Sequence, residues 1–390
     1  MKKAPSPLVS LIPIVVLVLL LFATIRTFGS DALSGGSQVS LLTTTAICIL
    51  IGMVFYKIPW KDYELAITNN IAGVATAIII LLIIGALSGI WMISGVVPTL
   101  IYYGMQIIHP SFFLASTCII CALISVMTGS SWTTIATIGI ALMGIGKAQG
   151  FEDGWIAGAI ISGAYFGDKI SPLSETTILA SSITDTPLFR HIRYMMITTV
   201  PSLIITLIIF TVAGLSHDAS NTQHIAEVAT ALNEKFHITP WLLIVPVATG
   251  ILIARKVPSI VTLFLSTLLA GVFALIFQPE LLQEISGVAV SGFHSLFKGL
   301  MMTVYGATNL HTDNAVLTDL IATRGMAGMM NTIWLILCAM CFGGAMTASG
   351  MLGSITSIFV RFMKKTVSVV GATVCSGLFL NLTTADQYIS

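Results

Sequence analysis

The sequence predicts an all-α polytopic membrane protein, and three observations carry that prediction. Charged residues make up 8% of the 390 residues and apolar residues 56%, whereas an ordinary soluble domain is roughly 25% charged. The mean hydropathy is +0.99. The apolar residues fall into runs long enough to cross a bilayer core, which needs about 20 helical residues. The formal net charge of +1 gives no reason to expect a nucleic acid as partner.

The apolar runs predict about 10–11 membrane segments. MKKAPSP and the run after it are interpreted as a first transmembrane helix rather than a signal peptide, because no small-residue cleavage site follows. The two longest runs are predicted to be broken helices or more than one segment, and stretches 129–147 and 155–183 fit a simple span badly. The predicted spans are 8–25, 38–56, 71–104, 111–128, 194–215, 240–254, 258–277, 286–306, 331–358 and 367–382.

The basic residues orient the chain, because Lys and Arg accumulate in cytoplasmic loops. The loop from Ser216 to His237 carries one lysine among several acidic residues, so it is predicted to lie outside. The amino terminus is therefore predicted to be cytoplasmic. The basic residues assigned to the inside are Lys2, Lys3, Lys57, Lys61, Arg190, Arg193, Arg255, Lys256, Arg361, Lys364 and Lys365.

An internal repeat appears at an offset of 255 residues, where Glu64–Trp132 aligns with Asp319–Gln387. Small-residue pairs stay in register, and MTGSSW falls on LTTADQ. The loop 102–110 has no basic residue, whereas its counterpart 357–365 has three. Equivalent loops on opposite sides indicate an inverted repeat, the architecture of many secondary transporters. The second copy stops early, so either the repeat is asymmetric or the natural chain continues past Ser390, and the second is expected.

This pattern predicts four parts of the chain. They are N-terminal transmembrane helices (1–63), a first repeat with a re-entrant hairpin near 155–183 (64–215), an outer loop with connecting helices (216–318), and an incomplete second repeat (319–390).

The stretch GAYFGDKISPLSETT (163–177) places three charges in an otherwise apolar region. An unpaired charge at mid-membrane costs about 2.5–3.5 kcal/mol. Pro172 disfavours helix at Ser171, and broken backbone at membrane depth must be buried in protein or line a wet cavity. We therefore expect a hairpin with an arm at 155–167 and a non-helical tip at 168–177, where Asp168 and Lys169 pair. The alternative is a solvated cytoplasmic loop.

Oxygen-bearing side chains in the polar breaks are the candidate ligands of a hard cation. Lys169 is the candidate coupling or charge partner, and neither a cofactor nor a metal other than a transported ion is predicted. The candidate ligands are Asp168, Ser171, Ser174, Glu175, Thr176 and Thr177 at the tip, Thr128, Ser130 and Ser131 in the first break, and Asn381, Thr383, Thr384 and Asp386 in the matching break.

The remaining reactive residue types are interpreted as structural. All six cysteines lie in apolar runs, and they and the 17 methionines are predicted to pack between helices rather than bind metal. The sequence contains no P-loop, Gly-x-Ser-x-Gly or His-Glu-x-x-His motif, so no enzyme is predicted. A channel and a membrane-embedded enzyme are the rival classes.

With these motifs in view, the sequence resembles the NhaC family of sodium/proton antiporters, within the ion-transporter superfamily. The resemblance rests on GSSWTTIATIGIALMGIG (129–146), AGAIISGAYFGDKISPLSETT (157–177), LFRHIRYM (188–195) and NLTTADQYIS (381–390). It implies exchange of Na⁺ for H⁺ across a bacterial cytoplasmic membrane, with the lipid bilayer as surroundings. The family also contains exchangers of malate and lactate, for which Lys169 is the candidate carboxylate-binding residue.

Asp168 is the first choice for the carboxylate that holds either a proton or Na⁺, with Glu175 or Asp386 second. The sequence leaves a homodimer open as the oligomeric state.

Overall fold

The computed structural model describes residues 5–216, 222–290, 292–308, 310, 312, 318, 321–362, 371 and 374, without the side chains of 30, 175, 183, 222–226 and 358–362. Within that part of the chain the secondary structure is helical and no strand occurs. The helices are α1 (Pro7–Phe28), α2 (Gly36–Tyr56), α3 (Trp60–Gly73), α4 (Ala75–Ile93), α5 (Val96–Ile107), α6 (Phe113–Thr128), α7 (Ser131–Thr134), α8 (Ile140–Ala148), α9 (Asp153–Ile170), α10 (Glu175–Ile183), α11 (Leu188–Leu215), α12 (Thr222–Lys235), α13 (Ile244–Ala254), α14 (Ser259–Phe277), α15 (Pro279–Ser286), α16 (Phe293–Tyr305), α17 (Met330–Ala348) and α18 (Met351–Phe362).

The prediction of an all-α polytopic membrane protein is confirmed. Seven helices in the described ranges are long and apolar enough to cross a membrane. They are Pro7–Phe28, Gly36–Tyr56, Ala75–Ile93, Pro110–Thr128, Leu188–Leu215, Ser259–Phe277 and Met326–Ala348.

Two predicted spans came out differently, and a third is not tested. The predicted span 286–306 is wrong, because residues 287–290 and 292 are not helical and α16 has only 13 residues, or about 20 Å of helix. The segment Pro240–Ala254 reaches spanning length only together with Glu227–Lys235, to which it is bent by 91°. The span 367–382 lies outside the described residues, apart from two isolated positions.

The chain divides into two compact units. One comprises Met1–Ile79 and Met329–Ser390, and here α17 packs on α2 and α3 while α1 packs on α2 and α18. The other comprises Ile80–Gly328, and its most extensive helix packing joins α6 to α9. The four-part division predicted from the sequence stays a prediction.

The offset of 255 residues is also visible in local structure. The pair α4 and α5 corresponds to the pair α17 and α18. Helices α4 and α17 have 19 residues each, and α5 and α18 have 12 each. The first and last residues of α17 and α18 lie 255 positions after those of α4 and α5. Both pairs break at Ser-Gly with the glycine at positive φ, +84° at Gly95 and +70° at Gly350. Ser94 Oγ donates to the Trp91 carbonyl as Ser349 Oγ does to the Met346 carbonyl. This match supports the repeat, and its inverted orientation stays a prediction.

The predicted outer loop contains a helix that sequence reasoning missed. Val228 and Leu232 of α12, together with Phe236 directly after the helix, are buried in the main apolar core of their unit. Val228 and Leu232 are four apart, so they share one helix face. At the end of α12, Lys235 Nζ lies 2.9 Å from both carboxylate oxygens of Glu284.

Candidate functional site

Glycines bring the backbone of α9 close to α6. A Cβ on Gly163 would collide with the Cys118 carbonyl oxygen, and one on Gly167 would lie 2.5 Å from Ser125 Cβ and 2.7 Å from Val126 N. Small residues four apart allow membrane helices to approach to backbone contact. The last turn of α9, which carries Asp168, is therefore fixed against α6.

The chain reverses direction after α6. Helix α6 ends at Thr128, Gly129 takes φ +66°, and Ser130 Oγ accepts the Thr133 N–H at 3.2 Å to cap α7. Helix α7, the π-helical turn Ile135–Gly139 and α8 all contact α6. If the chain continued straight after α6, α8 would begin more than 15 Å beyond its end, at about 1.5 Å per residue. Because α8 contacts α6 instead, the chain folds back at residues 129–130. Short π-helical turns recur at functional sites.

The second break follows α9. Helix α9 ends at Ile170, in agreement with the predicted effect of Pro172 on Ser171. Ser171 Oγ donates to the Val126 carbonyl of α6 at 2.8 Å. Ser174 Oγ accepts the Thr177 N–H at 3.5 Å and lies 2.8 Å from Thr176 Oγ1. The second break is therefore tied to α6 by a side chain and begins α10 with a serine cap.

The two breaks touch each other. A Cβ on Gly129 would lie 2.6 Å from the Leu173 carbonyl carbon, so only glycine fits between the two turns. Positive φ at Gly129 adds a second reason for glycine. The first two groups of predicted ligands are thereby brought together in one unit.

Asp168 lies at this meeting point and is 8% exposed. Its Oδ2 accepts the Ser131 hydroxyl at 2.8 Å. Thr177 Oγ1 donates to the backbone carbonyl of Lys169 at 3.1 Å. Thr128 Oγ1 donates to the Ser130 carbonyl at 3.1 Å, next to Thr134 Oγ1 at 3.4 Å. One carboxylate thus shares a buried region with several hydroxyls and with carbonyls near two helix ends.

One expectation for the tip is wrong, and the predicted roles of Glu175 and of the matching break are not tested. Asp168 and Lys169 are helical, so the expected non-helical backbone there is wrong; adjacent helical side chains diverge, and Lys169 is exposed. Helix α10 begins at Glu175, whose side chain is not described. Asn381, Thr383, Thr384 and Asp386 lie outside the described residues, so their roles stay predictions.

Sequence reasoning missed several buried hydroxyls of this region. Ser125 Oγ donates to the Ala164 carbonyl and so links α6 to α9. Thr134 and Thr137 are buried, and Thr137 Oγ1 donates to the Thr133 carbonyl at 2.7 Å. The signal was available in TTIAT (133–137), where Thr134 and Thr137 have the three-residue spacing of one helix face.

Comparison with known proteins identifies the family. The Na⁺/H⁺ antiporter family model matches residues 163–390. The Na⁺/H⁺ antiporter NhaC of Bacillus subtilis is 35% identical over 351 residues, which cover 90% of this chain and 74% of that protein. The chain belongs to the NhaC family of Na⁺/H⁺ antiporters.

Other relatives of this chain are named for different transport activities. The malate-2H⁺/Na⁺-lactate antiporter of Bacillus subtilis is 36% identical over 90% of this chain and 72% of its own length. The arginine/ornithine antiporter ArcD of Halobacterium salinarum is 31% identical over 100% of this chain and 77% of its own length. No solved structure matches the chain.

The arrangement around Asp168 suits a hard monovalent cation. Carboxylate, hydroxyl and carbonyl oxygens are the donors that such ions prefer over nitrogen or sulfur. A carboxylate holds either a proton or a metal ion, so both ions compete for the same oxygens.

Proposed function

We propose that this chain is a secondary carrier that exchanges Na⁺ for H⁺ across a bacterial cytoplasmic membrane, with Asp168 as the carboxylate that both ions occupy in turn. The observation that carries the proposal is the buried Asp168 carboxylate, which accepts the Ser131 hydroxyl where two helix breaks meet. Broken backbone of this kind lines ion sites in secondary transporters.

Competition at one carboxylate is sufficient for exchange. Na⁺ gives up water on binding and takes oxygens of Asp168, Ser131 and the neighbouring break residues in return. Proton binding neutralises the carboxylate and releases the Na⁺. If the carrier switches between its inward-open and outward-open states only with one ion bound, inward movement of H⁺ drives outward movement of Na⁺. The basic-residue pattern places the amino terminus on the cytoplasmic side in this proposal.

A second candidate is a Na⁺- and H⁺-coupled exchanger of organic acids, as the name of the malate/lactate relative suggests. A carboxylate substrate favours a fixed cation or a helix amino terminus in its site. Lys169 is exposed and diverges from Asp168 on α9. This geometry favours an inorganic cation at Asp168 over an organic acid bound jointly by Asp168 and Lys169.

The test uses everted membrane vesicles that contain the chain and carry a preformed pH gradient. NaCl should collapse the gradient, sodium malate should act no better than NaCl at equal Na⁺, and KCl should act weakly. A response that requires malate supports the second candidate. The absence of any response above that of vesicles lacking the protein contradicts both.

Ser131→Ala should raise the half-saturating Na⁺ concentration about tenfold or more, because a hydrogen bond to a charged group contributes about 1.5–3 kcal/mol. The matched control is Ser182→Ala, since the exposed Ser182 hydroxyl bonds only within α10, to the Ile178 carbonyl at 2.9 Å. Titration of NaCl in the vesicle assay measures both. Equal half-saturation in Ser131→Ala and wild type would remove Ser131 from the ion site.

A further inference from the structure

Three sulfur atoms converge in the unit formed by the two ends of the chain. Cys48 Sγ, on α2, lies 3.7 Å from Met346 Sδ at the end of α17 and 3.7 Å from Met351 Sδ at the start of α18. Cys48 and Met351 are fully buried and Met346 is 2% exposed. We call Cys48, Met346 and Met351 the sulfur cluster.

The spacing of the sulfur cluster fits a metal ion. Metal–thiolate bonds of about 2.3 Å place the sulfurs of a trigonal site about 4 Å apart, close to the 3.7 Å found from Cys48 to each methionine. Thiolate and thioether are soft donors, and soft donors select Cu(I) among biological cations. The hydroxyl of Ser349 also lies 3.7 Å from Cys48 Sγ.

A second, independent observation points to the same place. The Tyr63 side chain is fully buried, and its hydroxyl has no hydrogen-bond partner among the residues that the structure describes. This hydroxyl lies against Gly52, one helical turn after Cys48 on α2. A buried hydroxyl without a partner requires an explanation. This polar atom therefore lies one helical turn from Cys48, on the same side of α2 as the sulfur cluster.

We propose that Cys48, Met346 and Met351 form a binding site for a soft monovalent cation, Cu(I) or its analogue Ag(I). On binding, the metal–sulfur bond to Cys48 forms as the S–H bond breaks, and the proton leaves to solvent. No electron is transferred. The sequence-based interpretation of the cysteines and methionines as packing residues could not include this site, because its members are about 300 positions apart.

The position of the site has a consequence for the carrier. Met346 and Met351 flank the Ser349–Gly350 break, and Ser354 Oγ donates to the Pro5 carbonyl at 2.7 Å, which places the break beside the beginning of α1. This is the predicted cytoplasmic end of the helices. A bound ion would tie α2 to both sides of the break. Inhibition of exchange is the expected consequence, and that part alone rests on the proposed function.

Metal binding itself is the test. Purified protein without an affinity tag is titrated anaerobically against a chromogenic Cu(I) chelator. One Cu(I) per chain should bind, and its affinity should rise about tenfold per pH unit, because one proton is released. Cys48→Ser should lose the site, and Met346→Leu and Met351→Leu, which preserve side-chain volume, should each weaken it at least about tenfold. The readout needs no transport, so failure of Na⁺/H⁺ exchange would leave it unaffected.

The matched control is Cys118→Ser, which removes another fully buried thiol from a different helix, α6. It should bind Cu(I) as wild type does. Thermal unfolding of each variant identifies any that fails to fold. If Cys48→Ser does not fold, Cu(I) binding by the two Met→Leu variants tests the site instead. No stoichiometric binding by wild type, or unchanged binding by folded Cys48→Ser or by both Met→Leu variants, would overturn the proposal.

Discussion

Asp168→Asn should abolish Na⁺-dependent proton exchange while the protein still reaches the membrane. The substitution keeps the side-chain size and removes the charge that both ions need. At an effective dielectric constant of about 20, a cation 4 Å from a carboxylate gains about 4 kcal/mol, which is roughly a thousandfold in affinity. Collapse of a pH gradient in everted vesicles, normalised to the amount of protein, measures the loss.

Asp153→Asn is the matched control for this variant. Asp153 lies in the first turn of the same helix, α9, where its side chain is 69% exposed and 3.2 Å from Lys147 Nζ. Exposed ion pairs of this kind contribute little to stability, so the variant should exchange Na⁺ at the wild-type rate. Normal exchange by Asp168→Asn would remove Asp168 from the ion pathway, and equal loss in both variants would indicate a general effect of charge removal.

Gly167→Ala should reduce both stability and exchange. The added Cβ would contact the Ala122 carbonyl, Ser125 Cβ and Val126 N of α6, and overpacking of this kind costs about 1–3 kcal/mol. To relieve this overlap, α9 must move away from α6. Asp168 is the next residue on α9, so this movement would separate it from the Ser131 hydroxyl. Thermal unfolding in detergent and the vesicle assay measure the two effects.

The control on the same helix is Gly158→Ala. Its added Cβ would come no closer than 3.9 Å, to the ring of Phe210, so no atom has to move. Alanine also has the higher helix propensity, and the variant should be at least as stable as wild type. A Gly167→Ala protein with wild-type stability and exchange would show that the close approach of α9 to α6 does not position Asp168.

Local features of the fold were predictable from the sequence. The length of the apolar runs predicted the spans near 8–25 and 38–56, and the two longest runs were predicted to be broken, as they are between α4 and α5 and between α17 and α18. Pro172 predicted the end of α9 for a steric reason confined to its neighbour. Each of these depends on residues close together in the chain.

Features that depend on tertiary contacts were not predictable. A proline disfavours helix at the residue before it, but nothing in the sequence shows that Asp168 and Lys169 belong to the last turn of α9. The fold-back at 129–130 needs α6, α8 and α9 to pack together. The segment after α11 is polar overall, and its buried apolar residues, among them Val228 and Leu232, are few. The sulfur cluster joins residues about 300 positions apart.

The measurement that tests the central claim most directly is the half-saturating Na⁺ concentration of wild-type exchange as a function of pH. If one proton and Na⁺ compete for the Asp168 carboxylate, half-saturation should rise as the pH falls, approaching about tenfold per pH unit in the acid range. The maximal rate at saturating Na⁺ should change far less. A half-saturating Na⁺ concentration that is the same at every pH would contradict competition at a single carboxylate.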